Sequence, residues 1–373
     1  MLTWLEISKK ALTYNLKQFR KIIGSKIKLM AVVKSNAYGH GMIECAKIFE
    51  KNGADYLGVI NLNEALALRK SGLKKPIFIL SFWSSELGAL IIKAIKEKIE
   101  FPVYTEQQIK ILSKISQKIG EKVKIHIKID TGTSRIGVLP ENTLNLAQKC
   151  LKSPWLELKG VFTHFAKSES KNQAFTNQQT KKLLEIKEKL MAMPDFPKNV
   201  IFHAGCTAST LNNSQTYFDM VRIGLGLYGL YPSLVGLTCE LKPAMRWKTR
   251  IIQIKTVVKG TFVGYDCTYQ CSKKTKIAIL PIGYWDGYDR KLSNCGEVLI
   301  QGRRVPVIGR VCMNLTMVDI SKIKKIKAGD EVILIGQEKN QQISAEDVAL
   351  KTETINYEVV TKINQMITRI YKA

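Results

Sequence analysis

Long apolar runs are missing from this 373-residue chain. The longest, PIFILSFW at 76–83, falls far short of the ~20 residues needed to cross a bilayer. At the N-terminus, MLTWLEISKK, Glu6 interrupts any apolar leader segment, so a cytoplasmic protein is expected. Histidine is scarce, with four residues, and none pairs with a cysteine at zinc-ligand spacing. No metal site is therefore expected. The eight cysteines include no CxxC pair, and their density is too low for a disulfide scaffold. Acidic residues are outnumbered, 31 against 58 basic ones, for a net charge of +27. Such a charge attracts small anions over ~8 Å at physiological salt. The basic residues, however, are scattered over 70–75, 93–98, 181–189 and 323–327, with no aromatic interleaving. They read as solvated faces, so neither a nucleic-acid nor a membrane partner is expected. Internal repeats are absent too, as is a GxGxxG turn after the first strand candidate, which argues against an open dinucleotide-binding sheet.

What is present is an alternation. Short β-branched runs at 27–33, 56–60, 76–81, 100–103, 123–129, 157–163, 199–203 and 219–223 are separated by helical patterns at 40–52, 62–71, 85–98, 105–119 and 172–191. Alternation of this kind implies parallel strands with helical crossovers. Eight such units predict an α/β fold of the (β/α)8 TIM-barrel type, with its active site at the C-terminal strand ends. After about residue 235 the helical periodicity fades. Strand patterns follow at 249–258, 276–281, 297–301, 304–308, 315–320 and 330–336, then a helix over 344–351. The expected organisation is a barrel domain over 1–235 and a mainly-β C-terminal domain over 236–373.

Several strand candidates deliver reactive side chains at their tips. The first ends in AVVKSNAYGHG, with Lys34. Desolvation of a lysine there disfavours the ammonium and frees the amine to attack a carbonyl. A strand-end lysine reaching solvent is the commoner case, and Lys34 alone decides nothing. The fifth ends in Lys128, Asp130 and Arg135, the sixth in His164, the seventh in His203, Thr207 and Ser209, the eighth in Arg222, Gly224 and Gly226. Gly-rich turns after the seventh and eighth strands are the usual phosphate cradle of a barrel. An imine-forming lysine beside a phosphate cradle suggests pyridoxal phosphate.

Ten blocks, among them AVVKSNAYGHG, KIDTGTSRIGV, GVFTHFA, FHAGCTAST, VRIGLGLYG, VGYDCTY, VPVIGRVCMNLTMVDI and TINYEVV, occur in the order in which similar blocks occur in alanine racemases. The chain thus resembles the alanine racemase family over nearly its whole length. The resemblance implies a pyridoxal 5'-phosphate enzyme that interconverts L- and D-alanine, supplying D-alanine for peptidoglycan. It implies that Lys34 holds the cofactor and acts as one base, with Tyr265 as the other. Tyr38, Thr207, Gly224, Leu225 and Tyr357 would meet the phosphate, Arg222 the pyridine nitrogen, and His164 would lie by the ring. Arg135 and the Met313 backbone N–H would hold the substrate carboxylate, and Lys128 matches a lysine that is often carbamylated. Tyr265 and Met313 would come from the partner subunit of a homodimer.

Two-base chemistry is what a racemase needs, because a proton leaves one face of Cα and returns on the other. Four positions depart from the family pattern: Cys206 for Asn, Asp266 for Gly, Asn314 for Asp and Glu353 for Gly. The alternatives are a decarboxylase of the same two-domain build, a racemase of broader specificity, and a non-enzymatic carrier of the cofactor.

Overall fold

The structure is a computed structural model and describes residues 1–232 and 239–373. Its strands, in chain order, are β1 (Thr3–Ser8), β2 (Lys28–Val32), β3 (Tyr56–Val59), β4 (Ile77–Ile79), β5 (Phe101–Val103), β6 (Val123–Lys128), β7 (Leu156–Phe162), β8 (Ile201–Cys206) and β9 (Met220–Ile223). They continue with β10 (Met245–Arg250), β11 (Gln253–Val257), β12 (Thr275–Leu280), β13 (Glu297–Ile300), β14 (Arg303–Pro306), β15 (Thr316–Asp319), β16 (Glu331–Glu338), β17 (Gln341–Ile343) and β18 (Thr368–Lys372).

Residues Leu12–Ala37 and Met42–Lys242 form one compact unit. Within it β2 to β9 make an eight-stranded parallel sheet in the order β4-β3-β2-β9-β8-β7-β6-β5. The edges meet at Glu100, whose N–H donates to Ile77 O at 2.9 Å and whose carbonyl accepts the Ile79 N–H at 3.1 Å. The sheet thereby closes into the expected barrel. Strands covered on both faces read as continuous apolar runs, which is why their sequence signal is strong. Met30, Tyr56, Phe78, Phe162, Ile201 and Met220 pack together as one buried cluster. Each large side chain there contributes roughly 1.5–3 kcal/mol of burial.

The crossover helices carry their own punctuation. Thr105 caps Glu106–Ile119 by accepting the Gln108 N–H, and Gly120 ends it in the left-handed region at φ 70°, as helix caps require.

Met1–Ala11, Tyr38–Gly41 and Pro243–Ala373 form the second unit. It is mainly β, with one sheet ordered β14-β13-β16-β10-β1-β18, β17 added on β16, and a three-stranded sheet β11-β12-β15. The expected cut between 235 and 236 lies outside the described residues. The first eleven residues, assigned to the barrel by sequence, belong instead to the second unit. There β1 pairs antiparallel with β10 and parallel with β18, partners some 240 and 360 positions away that no local pattern reveals. The run 249–258 also divides. Its first part completes β10 in the large sheet, and β11 belongs to the small one.

The helix Ala345–Thr352 opens with a reciprocal Ser344–Asp347 capping box and closes on Glu353 at φ 55°. That left-handed position favours glycine, so it explains the glycine of the family pattern, and Glu353 occupies it at a conformational cost. Asp266, at φ 60°, likewise stands where glycine is favoured, although Asp tolerates this region better than most residues. Among the described residues, no helix is long and apolar enough to cross a membrane.

Candidate active site

Lys34 follows β2 directly. The next four residues, Ser35 to Tyr38, all have φ between 52° and 54°, a left-handed turn costing roughly 1–2 kcal/mol per residue. Three contacts hold it. Glu64 accepts the Ser35 N–H at 2.8 Å, Asn36 Oδ1 accepts the Met42 N–H at 2.9 Å, and the Ala37 N–H donates to Val33 O at 2.9 Å. Burial and the nearby Arg135 charge lower the Lys34 pKa, with Glu64 opposing. The lysine is therefore aimed by a fixed turn and biased toward the free amine.

Glu64 was not among the sequence candidates. Its signal is the N-x-x-E pattern at 61–64, which reads as a capping box. Asn61 does cap the helix, but the carboxylate reaches past the cap to the N–H groups of Ser35 and Ile60.

Arg135 stands on a loop built around Asp130. The Asp130 carboxylate accepts N–H groups from Gly132, Thr133, Ser134 and Arg135 at 2.8–3.1 Å. Burial raises this carboxyl's pKa, but the four donors outweigh it and hold it below its ordinary value. The Arg135 guanidinium itself is exposed and meets no protein acceptor among the described residues. Lys128, only 6% exposed, donates to Leu80 O at 3.3 Å and lies over the Phe162 ring. Burial, then Arg135 and Arg222, push its pKa down to about 8.

Arg222 is buried at the end of β9. Its Nη2 donates to Thr163 O and Ala204 O, each at 2.8 Å, and faces His164 Nδ1 at 3.3 Å. Nη1 donates to His203 Nδ1 at 3.0 Å. The Nε–H takes part in none of these bonds. Burial lowers the guanidinium's pKa to about 10, so it stays charged at neutral pH. Burial and the surrounding cations Arg222, Arg135, Lys128 and Lys34 drive His164 down to about 3, leaving a neutral imidazole. Thr207 begins the short helix Thr207–Asn212, and its hydroxyl accepts the Gly224 N–H at 3.2 Å and the Gly226 N–H at 3.4 Å. Leu225 follows in the same turn. A side chain at Gly226 would collide with Phe19 and Thr207, so the close approach of the two turns requires glycine.

The barrel unit thus holds Lys34, Lys128, Arg135, His164, Thr207, Arg222, Gly224 and Leu225 at its C-terminal strand ends. The other four sequence candidates lie in the second unit. Tyr38 and Tyr357 face each other with ring centroids 6.2 Å apart. Tyr265 and Met313 are 69% and 55% exposed. Asp266 pairs with Arg310 at 3.4 Å and approaches Arg290 at 3.9 Å. Cys206 contacts Ser168 Oγ at 3.2 Å.

The chain matches the alanine racemase N-terminal domain over residues 7–232 and the C-terminal domain over residues 244–371. It is 40% identical to the alanine racemase of Methanococcus maripaludis, over 99% of this chain and 98% of that one. Its fold is similar to that of the alanine racemase of Clostridium difficile 630, with a TM-score of 0.94 at 36% identity, covering 100% of this chain and 96% of that one. The histidine racemase of Leuconostoc mesenteroides is also similar, with a TM-score of 0.90 at 27% identity over 100% and 98% of the two chains. On these matches the chain belongs to the alanine racemase family of pyridoxal-phosphate-dependent amino-acid racemases.

Proposed function

We propose that the protein interconverts L- and D-alanine, with pyridoxal 5'-phosphate held by Lys34 and two copies of the chain forming the working unit. The observation that carries this reading is Lys34 itself, a lysine on a clamped left-handed turn whose charged form is disfavoured by burial and by Arg135. A neutral amine is the form that attacks a carbonyl.

The donor set fits the cofactor. The Arg222 Nε–H has no acceptor among the described residues and suits a ring nitrogen, and the Thr207 hydroxyl, beside the Gly224–Leu225 turn, can donate to a phosphate while it accepts the Gly224 N–H. The family resemblance adds Tyr38 and Tyr357 to the phosphate contacts and His164 beside the ring. When bound, pyridoxal phosphate supplies an electron-withdrawing ring that makes the substrate's Cα–H acidic. Arg222 retains its protons, so it offers that ring a hydrogen bond without surrendering a proton.

Lys34 and Tyr265 take the two base roles, one on each face of Cα. Arg135, exposed and without an acceptor among the described residues, suits the substrate carboxylate, joined by the Met313 N–H. Lys128, with its lowered pKa, is suited to carbamylation: the ammonium loses one proton, the neutral amine adds carbon dioxide and loses a second, and an anion replaces a cation near Arg135. The barrel unit carries the cofactor, and the second unit presents Tyr265 and Met313 to another copy. Their exposure supports this, together with that of Tyr284 and Trp285, 43% and 60%. Clustered exposed apolar side chains mark interaction surfaces.

Alanine is preferred as substrate on the full-length relatives, and the histidine racemase neighbour defines the competing substrate. The test supplies the cofactor-loaded protein with L-alanine or L-histidine and follows the D-enantiomers by chiral chromatography. D-alanine is expected as the dominant product. Dominant D-histidine, or release of carbon dioxide, would overturn the assignment.

A further inference from the structure

Four ionisable side chains form a continuous buried chain across the barrel interior. Arg222 Nη1 lies 3.0 Å from His203 Nδ1, His203 Nε2 lies 3.0 Å from His126 Nδ1, and His126 Nε2 lies 2.8 Å from Glu100 Oε2. Glu100 is 1% exposed, both histidines 0%, and Arg222 5%. Phe162 stacks on the His203 ring at 4.9 Å, and Phe78 lies 4.2 Å from the His126 ring, so apolar faces sheathe the polar line. Gly160 makes room for it, because a Cβ there would come within 2.1 Å of His126 Nδ1.

The two ends fix the direction of every bond. Arginine has only donors, so His203 accepts at Nδ1. A neutral His203 then carries its proton on Nε2 and donates to His126 Nδ1. His126 in turn carries its proton on Nε2 and donates to the Glu100 carboxylate. A doubly protonated His126 would require His203 to accept at both nitrogens, which a neutral imidazole cannot do. Burial, Arg222 and His126 hold the His203 pKa well below its ordinary value, consistent with a neutral ring.

We propose that Glu100 and His126 are positioning residues for Arg222, acting through His203 as a one-way hydrogen-bond relay that fixes the orientation of the guanidinium. This rests on the reading that Arg222 faces the cofactor's ring nitrogen. At the arginine end the relay is flanked by His164, Lys128 and Cys206, and at the carboxylate end by Tyr56 and Arg69. Glu100 ends the line as the acceptor of the His126 Nε2–H. Its backbone also closes the barrel, so the carboxylate is held by the seam between β4 and β5.

The test is 15N NMR of the full-length protein labelled at the histidine ring nitrogens, with Glu100→Gln and Glu100→Leu as variants. The wild type should show His126 and His203 as Nε2–H tautomers at neutral pH. Glu100→Gln, whose carbonyl can still accept, should keep them and stay near wild-type kcat. Glu100→Leu should give mixed tautomers and lower kcat by at least about tenfold with little change in KM, as for other buried carboxylates that hold a histidine tautomer. An Nδ1–H or doubly protonated ring in the wild type, or unchanged tautomers and kcat in Glu100→Leu, would overturn the relay. If Glu100→Leu does not fold, the wild-type spectrum and the Glu100→Gln kcat decide. The expected tautomers in a protein without racemase activity would remove the functional reading and leave the relay standing.

Discussion

The Glu64 carboxylate ties the turn that carries Lys34 to the neighbouring barrel loop, accepting the Ser35 N–H at 2.8 Å through Oε1 and the Ile60 N–H at 2.9 Å through Oε2. The turn is left-handed and strained, so its geometry depends on such contacts. Glu64→Ala leaves an exposed and a part-buried backbone donor without their acceptor, at a cost of about 0.5–1.5 kcal/mol. Denaturant unfolding should show that loss, and equilibrium titration should show weaker pyridoxal phosphate binding. Unchanged affinity would mean that the turn holds its shape without the clamp.

Acid should destabilise the fold through its neutral histidines. His164 titrates near 3 in the folded protein against 6.5 ordinarily, and His203 is also held low. As pH falls from 6.5, the unfolded chain binds protons that the folded chain does not. Stability is therefore full above 6.5 and declines below it, by about 1.4 kcal/mol per pH unit for each histidine. Thermal melts of the wild type and His164→Asn should differ in slope by one histidine's share. Parallel slopes would contradict the buried neutral ring.

Lys128 should take up carbon dioxide in a pH-dependent way. With a pKa of about 8, only about 1% of the amine is neutral at pH 6, against about half at pH 8. 13C NMR of protein in labelled bicarbonate should show a carbamate signal that grows over this range and is absent in Lys128→Met. A signal independent of pH, or one surviving the substitution, would contradict the lowered pKa.

Tyr265→Phe should slow racemisation more in one direction than in the other, because one of the two faces of Cα would lose its base. Exchange of the α-proton, followed from L- and from D-alanine, measures the asymmetry. Small and equal effects would exclude Tyr265 as a base.

Much of this architecture was legible because the barrel strands are covered on both faces and so write themselves as apolar runs with a polar tip. Lys34, Lys128 and Arg222 all stand at or just beyond such tips. Glu100 was read only as the start of a strand, because its role depends on His126 and His203, which lie on strands remote in sequence. β1 was missed for the same reason, since its partners β10 and β18 lie far from it in sequence. The positive φ values at Ser35 to Tyr38 had no glycine to announce them. They are imposed by contacts with Glu64 and Asn36, which local propensity does not record.

Lys34 is proposed to hold the cofactor for amino-acid racemisation. Borohydride reduction of the cofactor-loaded protein, followed by peptide mass mapping, tests it most directly. A stable pyridoxyl adduct is expected on the Lys34 peptide, with racemase activity lost in step with its formation. An adduct on a different lysine, or full activity in Lys34→Ala, would contradict it.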